Sequence, residues 1–521
     1  MNPFGLFVLL LSFAASSHSW AAEAPRYVDE TKAAGIESIY DGSFLFMVGG
    51  GVAAFDCDAN GLPDLVFAGG TNPAKLFRNR SAKGGSLSFE RVKNSGLDIT
   101  SVTGVYPLDI DGDGVVDLAV LRVGENLLMR GKGDCTFERA NKAWGFDGGD
   151  AWTTAFSATW EKGKSWPTLA FGNFMDRETV IMGYGDCDSN ALYRPKKKGG
   201  YGPALKLKPG YCALSMLFSD WNRDGTPDLR VSNDQEFYRE GGEEQLFRLT
   251  AKGLRPYSRS DGWNKVNIWG MGIASYDLTG DGYPEYYLTS MTDNRFEVLS
   301  GDASRPSYRD RAKDFGIAAG FPFIGGDKKP STAWHAEFGD VNNDGLADLL
   351  VVKGNVETVQ FVADADPNNL LIQQQDGTFR EGAKDAGVVD FELGRGGALI
   401  DLNADGSLDM VVTNRYVPAR IWRNLGNKNH WLKVILKQPG GNHSAIGAWV
   451  EVRTKAGVQR RENFVGGGQA GGQWGPLHFG LGAATTAEVR VQWPGGKWGP
   501  WTLIRANRAA VIERGKTASL H

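Results

Sequence analysis

The chain is poor in the side chains that enzymes most often use for acid–base and nucleophilic chemistry. Only six histidines occur in 521 residues, and neither a Gly-x-Ser-x-Gly nor a His-Glu-x-x-His motif is present. Cysteine is limited to four residues, none of them in a Cys-x-x-Cys pair or at zinc-finger spacing to histidine. These absences exclude the common serine-hydrolase and zinc-protease signatures and a structural zinc cluster.

Charged side chains are absent from the first 21 residues. An apolar run from Phe4 to Ala15 precedes Ser19-Trp20-Ala21, which has small residues at both positions that signal peptidase reads. Residues 1–21 are therefore predicted to be a cleavable export signal. The alternative is an uncleaved anchor, but the run is shorter than the roughly 20 residues that a membrane-spanning helix needs. We expect an exported protein, extracellular or in the periplasm or cell envelope, and no later segment is apolar enough to span a membrane.

An even number of cysteines in an exported chain permits two disulfides, and three pairings are possible. We expect Cys187 to pair with Cys212, because the two flank a short Lys/Gly-rich stretch. Buried free thiols are the alternative.

What is abundant is glycine, with 70 residues, and an acidic nine-residue loop that recurs through the first four-fifths of the chain. Its pattern is Asp-x-Asp/Asn-x-Asp/Asn-Gly-x-x-Asp, with Thr and Glu replacing two of these residues in one copy. The predicted metal ligands are its first, third, fifth and ninth residues: Asp56, Asp58, Asn60 and Asp64; Asp109, Asp111, Asp113 and Asp117; Asp220, Asn222, Asp224 and Asp228; Asp277, Thr279, Asp281 and Glu285; Asp340, Asn342, Asp344 and Asp348; Asp401, Asn403, Asp405 and Asp409. We name each loop by its first residue.

The loops begin 53, 111, 57, 63 and 61 residues apart, so the long gap hides one degenerate copy. Its remnant lies in residues 155–171, where Trp160-Glu-Lys-Gly163 stands in place of an acidic loop. Each unit has room for about four short strands, which is the content of one propeller blade. Tyr27…Gly35-Ile36 resembles the end of a unit, and the last unit lacks that end. A closed seven-bladed β-propeller over residues 22–427 is therefore predicted in preference to an open solenoid.

Calcium is the cofactor that these loops predict, in up to six sites. It prefers six to eight oxygen ligands, and the glycine at the sixth position lets the chain reverse so that the ninth residue returns to the first. Clustered carboxylates also repel one another unless a cation neutralises them. The alternative is that Asp, Asn and Gly merely form turns.

The charge distribution gives an expectation about partners. The loops hold 19 of the 61 acidic residues, which leaves 42 against 57 basic residues elsewhere. Six bound divalent ions would change the formal charge from -4 to +8. The loaded protein is expected to favour anionic partners such as an acidic polysaccharide.

From residue 428 the repeat stops, and alternating segments predict a small antiparallel sandwich or barrel over residues 428–521. The stretch Gly466-Gly-Gly-Gln-Ala-Gly-Gly472 lacks the Lys-Ser/Thr of a phosphate loop, and we expect a flexible hairpin connection there. Six tryptophans of this region form a sugar platform only if they are exposed, and burial is the usual state of tryptophan: Trp431, Trp449, Trp474, Trp493, Trp498 and Trp501.

The loops and their glycine-rich leads, such as Gly49-Gly50-Gly51-Val52, resemble the FG-GAP/VCBS repeats that build the propeller of integrin α chains. The C-terminal motifs follow the order of the ASPIC/UnbV domain, and the combination resembles the cartilage acidic protein family: Asn429-His-Trp-Leu-Lys-Val434, Ala445-Ile-Gly-Ala-Trp-Val450, Leu477-His-Phe-Gly-Leu-Gly482 and Val489-Arg-Val-Gln-Trp-Pro-Gly-Gly496. The resemblance implies calcium-dependent extracellular binding or adhesion without naming a ligand.

The sequence therefore predicts an exported, calcium-binding protein that binds a glycan or protein ligand and is not an enzyme. No nucleic-acid partner is expected. Two alternatives stay open: a calcium-dependent enzyme acting on polysaccharide, and a structural partner in an envelope complex.

Overall fold

The apolar segments on either side of each acidic loop form antiparallel hairpins in the computed structural model. The structure describes residues 22–180, 185–234, 242–357, 359–516 and 518–520. The predicted export signal, residues 1–21, lies outside the described residues. In the described part of the chain, no helix combines the length and the apolar character needed to cross a membrane.

Twenty-eight strands form antiparallel sets of four; six sets are consecutive in the chain, and the seventh combines the last three strands with the first. The strands are β1 (Tyr27–Asp29); β2 (Val52–Phe55), β3 (Asp64–Phe67), β4 (Lys75–Asn79), β5 (Phe89–Arg91); β6 (Val102–Leu108), β7 (Asp117–Gly124), β8 (Leu127–Gly131), β9 (Phe137–Arg139); β10 (Ala151–Thr159), β11 (Thr168–Asn173), β12 (Asn190–Tyr193), β13 (Leu205–Leu207); β14 (Ala213–Ser219), β15 (Asp228–Asn233), β16 (Gln245–Thr250), β17 (Gly253–Pro256); β18 (Trp269–Tyr276), β19 (Glu285–Met291), β20 (Arg295–Leu299), β21 (Tyr308–Asp310); β22 (Ala333–Gly339), β23 (Asp348–Lys353), β24 (Asn369–Gln373), β25 (Phe379–Glu381); and β26 (Leu393–Ile400), β27 (Asp409–Arg415), β28 (Arg420–Asn424). Three one-turn helices precede the next repeat in three sets: α1 (Asn141–Trp144), α2 (Ala312–Phe315) and α3 (Ala383–Ala386).

The sets are arranged as a closed ring. The first strands β2, β6, β10, β14, β18, β22 and β26 contact one another in that order, and β26 contacts β2. The last sheet has the order β1-β28-β27-β26, so the N-terminal strand supplies its fourth member, with Tyr27 opposite Asn424. The predictions of an all-β propeller and of closure by the N-terminal strand are confirmed. In the described residues seven four-stranded sets complete the ring.

The apolar core is divided among the gaps between neighbouring sheets. One cluster of buried side chains fills each gap, including the gap between the last set and the first. In that last gap, Val52 and Leu65 of the first set pack with Val411 and Ile421 of the last. Each sheet is thus buried on both faces, which explains why its central strands are almost continuously apolar.

Beyond Asn424 the chain forms a second domain of two four-stranded sheets that share one core. The strands of these sheets are β29 (His430–Lys437), β30 (Trp449–Arg453), β31 (Val458–Glu462), β33 (Leu477–Gly482), β34 (Thr486–Gln492), β35 (Thr502–Arg505), β36 (Arg508–Glu513) and β37 (Ser519–Leu520). A further short strand, β32 (Gln473–Trp474), belongs to the sheet of the first blade. The predicted boundary after residue 427 lies between β28 and β29. The sandwich is not purely antiparallel, since β29 pairs with β36 in parallel.

Residues 465–474 leave this domain and fill the centre of the ring. We call this segment the plug. Its backbone bridges to first strands around the channel, and β32 adds to β2 in parallel. Gln469 and Ala470 are fully buried. The expectation of a flexible hairpin was therefore wrong: the glycines keep the plug narrow enough to lie against the backbones of β2 and β6, where a Cβ at Gly104 would lie 2.2 Å from the Ala470 carbonyl oxygen.

The other end of the channel is closed by residues 42–48. Two fully buried arginines hold this segment: Arg395 Nε donates to the Met47 carbonyl at 2.9 Å and Arg415 Nη2 donates to the Gly42 carbonyl at 2.8 Å. Met47 and Val48 pack on Trp152 and other side chains at the strand ends away from the acidic loops.

Two disulfides are present in the described residues. Cys187 pairs with Cys212, as predicted. Cys57, the second residue of the Asp56 loop, pairs with Cys135, so it ties the first blade to the second.

A methyl group at Gly104 should expel the plug. Because the Cβ of Gly104→Ala meets a backbone carbonyl, we expect the free energy of unfolding to fall by about 1–3 kcal/mol, as for other overpacked cores. Gly475→Ala is the matched control, since its Cβ meets nothing within 4 Å. Chemical denaturation of both variants tests this, and equal stabilities would contradict a packed channel.

Candidate metal loops and their contacts with the C-terminal domain

The six acidic loops lie at one end of the ring, because each joins the first strand of a set to the second. The seventh position at this end is the turn at residues 160–167 between β10 and β11, as the degenerate copy predicted. The structure therefore places all the predicted ligands of a given loop in one turn and keeps the six loops apart around a rim.

The first carboxylate has the same conformation in every loop. Its Oδ2 accepts the backbone N–H of the glycine at the sixth position, at 2.6–3.1 Å. Each of these glycines has a φ between +87° and +95°, in the left-handed region that side chains rarely adopt. The glycine thus turns its N–H toward the first residue and reverses the chain, as the sequence pattern requires.

The ninth residue fastens each loop to its blade. In four loops its two oxygens accept the N–H of the second loop residue and an N–H on the third strand; for Asp64 these donors are Cys57 and Asn79, both at 2.7 Å. The other three are Asp117, Asp348 and Asp409. Burial raises the pKa of Asp64 to about 7 and that of Asp117 to about 8, because the charged form is desolvated.

Two loops use the ninth residue differently. Asp228 keeps the bond from the third strand, but it accepts from Trp221 Nε1 at 2.9 Å and from the Tyr257 hydroxyl at 2.6 Å in place of the N–H of the second loop residue. Glu285 is longer, and both its oxygens bind within its own loop, one to the Thr279 hydroxyl at 2.8 Å. Thr279 and Glu285, the two residues of the Asp277 loop that depart from the pattern, are therefore hydrogen-bonded to each other.

Three loops bring three carboxylates within 4.8 Å of one another: Asp56, Asp58 and Asp64; Asp109, Asp111 and Asp117; and Asp277, Asp281 and Glu285. The described part of the chain shows no such trio in the other three loops, which have Asn at the third position. Cys57 and Cys135 also lie beside Asp64, but they form a disulfide and offer no thiolate.

These loops fit a hard divalent cation. Asp58 Oδ1, Asp220 Oδ1 and Asp277 Oδ1 are buried and have no hydrogen-bond partner among the described residues. A buried carboxylate oxygen without a partner is costly, and the ligand set consists only of oxygens. The residues present could therefore hold calcium at the interior of the loop.

Protein cations supply part of the neutralisation that the sequence argument assigned to metal alone. Arg78 on β4 lies 3.3 Å from Asp58, and Arg130 on β8 lies 2.9 Å from Asp111 and Asp113. At the degenerate turn Arg194, from the equivalent place, binds Glu161 through Nε at 2.7 Å. There an ion pair stands where the other units have an acidic loop.

The C-terminal domain sits on the loop end of the ring and binds loop residues directly. Its basic side chains approach the first carboxylates: Lys433 Nζ lies 2.5 Å from Asp401, Arg460 3.2 Å from Asp277, and His443 3.4 Å from Asp109. In each case the oxygen approached is Oδ2, the one that already accepts the glycine N–H. Asp277 Oδ1 stays unpartnered, so a domain cation and a metal ion could share this residue.

The fourth loop residue is the one that sequence reasoning missed. It has a left-handed conformation in every loop, which points any side chain away from the ligands. Arg223 stacks on Trp449 at 4.0 Å from the ring centroid, and Asn343 Oδ1 lies 2.7 Å from His478 Nε2. A large polar residue in place of the usual Gly or Ala was the available signal.

The tryptophans of the C-terminal domain are mostly covered. Trp449 is buried, and arginines lie over the rings of Trp493, Trp498 and Trp501. These rings stabilise the domain and its docking. Trp431 and Trp474 are half-buried at the boundary with the ring.

The sequence comparisons agree with this arrangement. Residues 438–519 match the family described as ASPIC and UnbV, and residues 56–120 match the FG-GAP-like repeat. The chain carries an FG-GAP-like repeat and an ASPIC/UnbV domain. The predicted resemblance to the FG-GAP-like repeats and to the ASPIC/UnbV domain is thereby confirmed.

Cartilage acidic protein 1 of Mus musculus and of Homo sapiens are each 34% identical to this chain over 125 residues, which are 23% of this chain and 19% of theirs. The chain thus matches about a fifth of the length of these relatives. Among solved structures, BBS1N in complex with ARL6DN gives a TM-score of 0.43 at 8% identity, covering 77% of this chain and 96% of that one. A lectin of Agrocybe aegerita that recognises non-reducing terminal N-acetylglucosamine gives 0.39 at 15% identity, covering 73% and 94%. At these values the structural likeness informs neither ligand nor activity.

Arg223 should anchor the ASPIC/UnbV domain. Its guanidinium lies between Trp449 and Trp498 and donates to the Gly282 carbonyl at 2.7 Å, so Arg223→Ala should cost about 2–4 kcal/mol. We expect faster hydrogen exchange in the plug. Arg91→Ala, at an exposed pair with Asp98, is the control and should change stability by no more than about 0.5 kcal/mol. Unchanged exchange in Arg223→Ala would show that docking does not depend on this contact.

Proposed function

We propose that this protein is an exported, calcium-binding propeller that acts by binding an extracellular or envelope ligand, and that calcium in the acidic loops keeps the ASPIC/UnbV domain docked. This proposal rests on the different surroundings of the two carboxylate oxygens of the first loop residue. Oδ2 faces the glycine N–H and the cations of the docked domain, whereas Oδ1 faces the loop interior, unpartnered in Asp220 and Asp277.

The chain's own residues would hold the ion as follows. The first, third, fifth and ninth residues of each loop supply carboxylate, amide or hydroxyl oxygens. Calcium would supply positive charge to groups whose desolvation otherwise favours protonation. The burial that raises the pKa of Glu285 to about 8 marks the same need in the loop with the poorest ligand set.

Metal binding and domain docking should then stabilise each other. The loops that bind the domain through Asp109, Asp277 and Asp401 are also predicted metal loops. Glu462, at the end of β31, accepts from the Asp220 N–H at 3.0 Å and the Ser219 hydroxyl at 2.6 Å just before the plug. Ordering a loop by metal therefore orders the surface that positions the plug.

Export and binding complete the proposal. Two disulfides are typical of proteins in oxidising compartments. The matched relatives are cartilage acidic proteins, and the ring with its docked domain offers a rigid surface to a glycan or protein. Incubation with candidate polysaccharides separates binding from cleavage, because only cleavage releases products with time.

Calcium removal should lower both metal content and thermal stability. Each site held at a hundredfold its Kd adds about 2.7 kcal/mol, so chelation should reduce Tm by several degrees. Asp111→Asn with Asp113→Asn should lose one calcium by native mass spectrometry. Glu161→Gln at the degenerate turn is the control; it breaks the pair with Arg194 but should keep the wild-type calcium number.

Two results with the native protein would refute the calcium proposal, and a third would come from the variants. One is native protein without bound metal, and the other is a Tm that chelator leaves unchanged. Equal calcium loss in the loop variant and in Glu161→Gln would also refute it, because the second substitution touches no acidic loop.

A further inference from the structure

A cavity of about 660 Å³ lies between the loop end of the ring and the ASPIC/UnbV domain, beside the plug. This interdomain cavity is of a size that holds small organic ligands. Its walls come from β18, β22 and β26 of the ring, from the plug, and from the starts of β29 and β36. Exposed residues of the Asp56 loop, Ala59 and Gly61, lie at its edge with Gly475 and Pro476.

The opening coincides with a gap in the docked interface. The Asp56 loop is the one acidic loop for which the described residues show neither a hydrogen bond nor an ion pair to the domain. Asp56 lines the cavity, but its carboxylate is turned into its own loop, where it accepts the N–H groups of Asn60 at 3.1 Å and Gly61 at 2.7 Å. Access from solvent therefore does not require the domain to undock.

His335 on β22 provides an unsatisfied donor deep in the cavity. It is 4% exposed, and its Nδ1 accepts the N–H of Gln469 at 3.1 Å, which places the proton on Nε2. Nε2 has no hydrogen-bond partner among the described residues; its nearest carboxylate oxygen is Glu337 Oε2, at 3.6 Å. A buried N–H without an acceptor favours a ligand oxygen at that point.

Glu337 provides acceptors next to this donor. Its Oε1 accepts from Gln473 Nε2 at 2.6 Å and its Oε2 from the Leu399 N–H at 3.0 Å. A carboxylate has about four lone-pair positions, so acceptor capacity remains on both oxygens. A donor and an acceptor side by side suit a pair of neighbouring hydroxyl groups.

The remaining walls add ring faces and positive charge. The half-buried indoles of Trp431 and Trp474 line the cavity and can pack on the C–H face of a sugar. Arg508, at the start of β36, has a buried Nε without a hydrogen-bond partner, and among the described residues neither Arg508 nor Lys83 forms an ion pair. Lys433 also lines the cavity but is neutralised by Asp401. Two cationic side chains that have no ion-pair partner among the described residues favour a ligand that carries a carboxylate.

We propose that the interdomain cavity binds the terminal uronic acid of an anionic glycan. The ring hydroxyls lie against His335 and Glu337, a sugar face packs on Trp431 or Trp474, and the carboxylate is held by Arg508 and Lys83. This proposal rests on the binding function inferred above and names its ligand class and site.

The test is isothermal titration of the full chain in calcium with glucuronate and galacturonate, and with glucose and galactose as neutral comparisons. Losing one charge-assisted hydrogen bond should weaken uronate binding by roughly tenfold or more in Arg508→Gln. Arg505→Gln, at an exposed arginine on β35 outside the cavity, is the matched control and should bind as the wild type does. His335→Gln should weaken uronate and neutral sugar alike, and Tm measurements show that each variant is folded.

The outcomes separate this proposal from the calcium proposal. Tm that rises with calcium, together with no saturable uronate binding, overturns the cavity assignment alone. Equal affinity for uronate and neutral sugar, or equal loss in Arg508→Gln and Arg505→Gln, overturns it too. Uronate binding that is lost in Arg508→Gln while Tm ignores calcium supports the cavity and refutes only the metal role.

Discussion

The structure depends on a buried carboxylate at the end of each acidic loop. By accepting one N–H at the start of the loop and one on the third strand, Asp64 and its equivalents join three segments of a blade at a single point. Burying an ionised carboxylate costs desolvation free energy, and this cost is seen in the raised pKa of Asp117. The benefit is geometric, since the loop leaves the blade in one fixed direction. Four loops fixed in this way, together with the differently bonded Asp220 and Asp277 loops, give the ring an end to which a second domain docks.

Local repetition made much of this predictable. The first, sixth and ninth loop residues interact within nine residues of chain, so the local sequence pattern is enough to predict the conformation of the loop. Ring closure by β1 could also be predicted, because an unpaired N-terminal unit end and an incomplete last unit imply each other. The Cys187–Cys212 pair bridges a short stretch for the same reason of proximity.

Contacts between distant segments could not be predicted in this way. The plug meets the ring through backbone atoms of glycines, and a glycine run carries no side-chain signal for what it will pack against. Arg78 and Arg130 return to their loops from a strand some twenty residues later, so the carboxylates look uncompensated in sequence although they are partly neutralised in the fold. Arg223 and Asn343 reach outward because their backbone is left-handed, which a pattern of ligands does not show.

These long-range contacts give the loops a second structural role, which is to bind the C-terminal domain. A propeller whose loops only stabilised their own blades would need no basic side chains of another domain beside them. Here Lys433, His443 and Arg460 come from different strands and loops of the second domain, yet each reaches the same oxygen of a first loop residue. Repetition in the ring thus offers equivalent anchor points to a domain that has no repeat of its own. The domain uses three of these six points. In the described residues it makes no hydrogen bond or ion pair with the Asp56 loop, and the space beside that loop is the interdomain cavity.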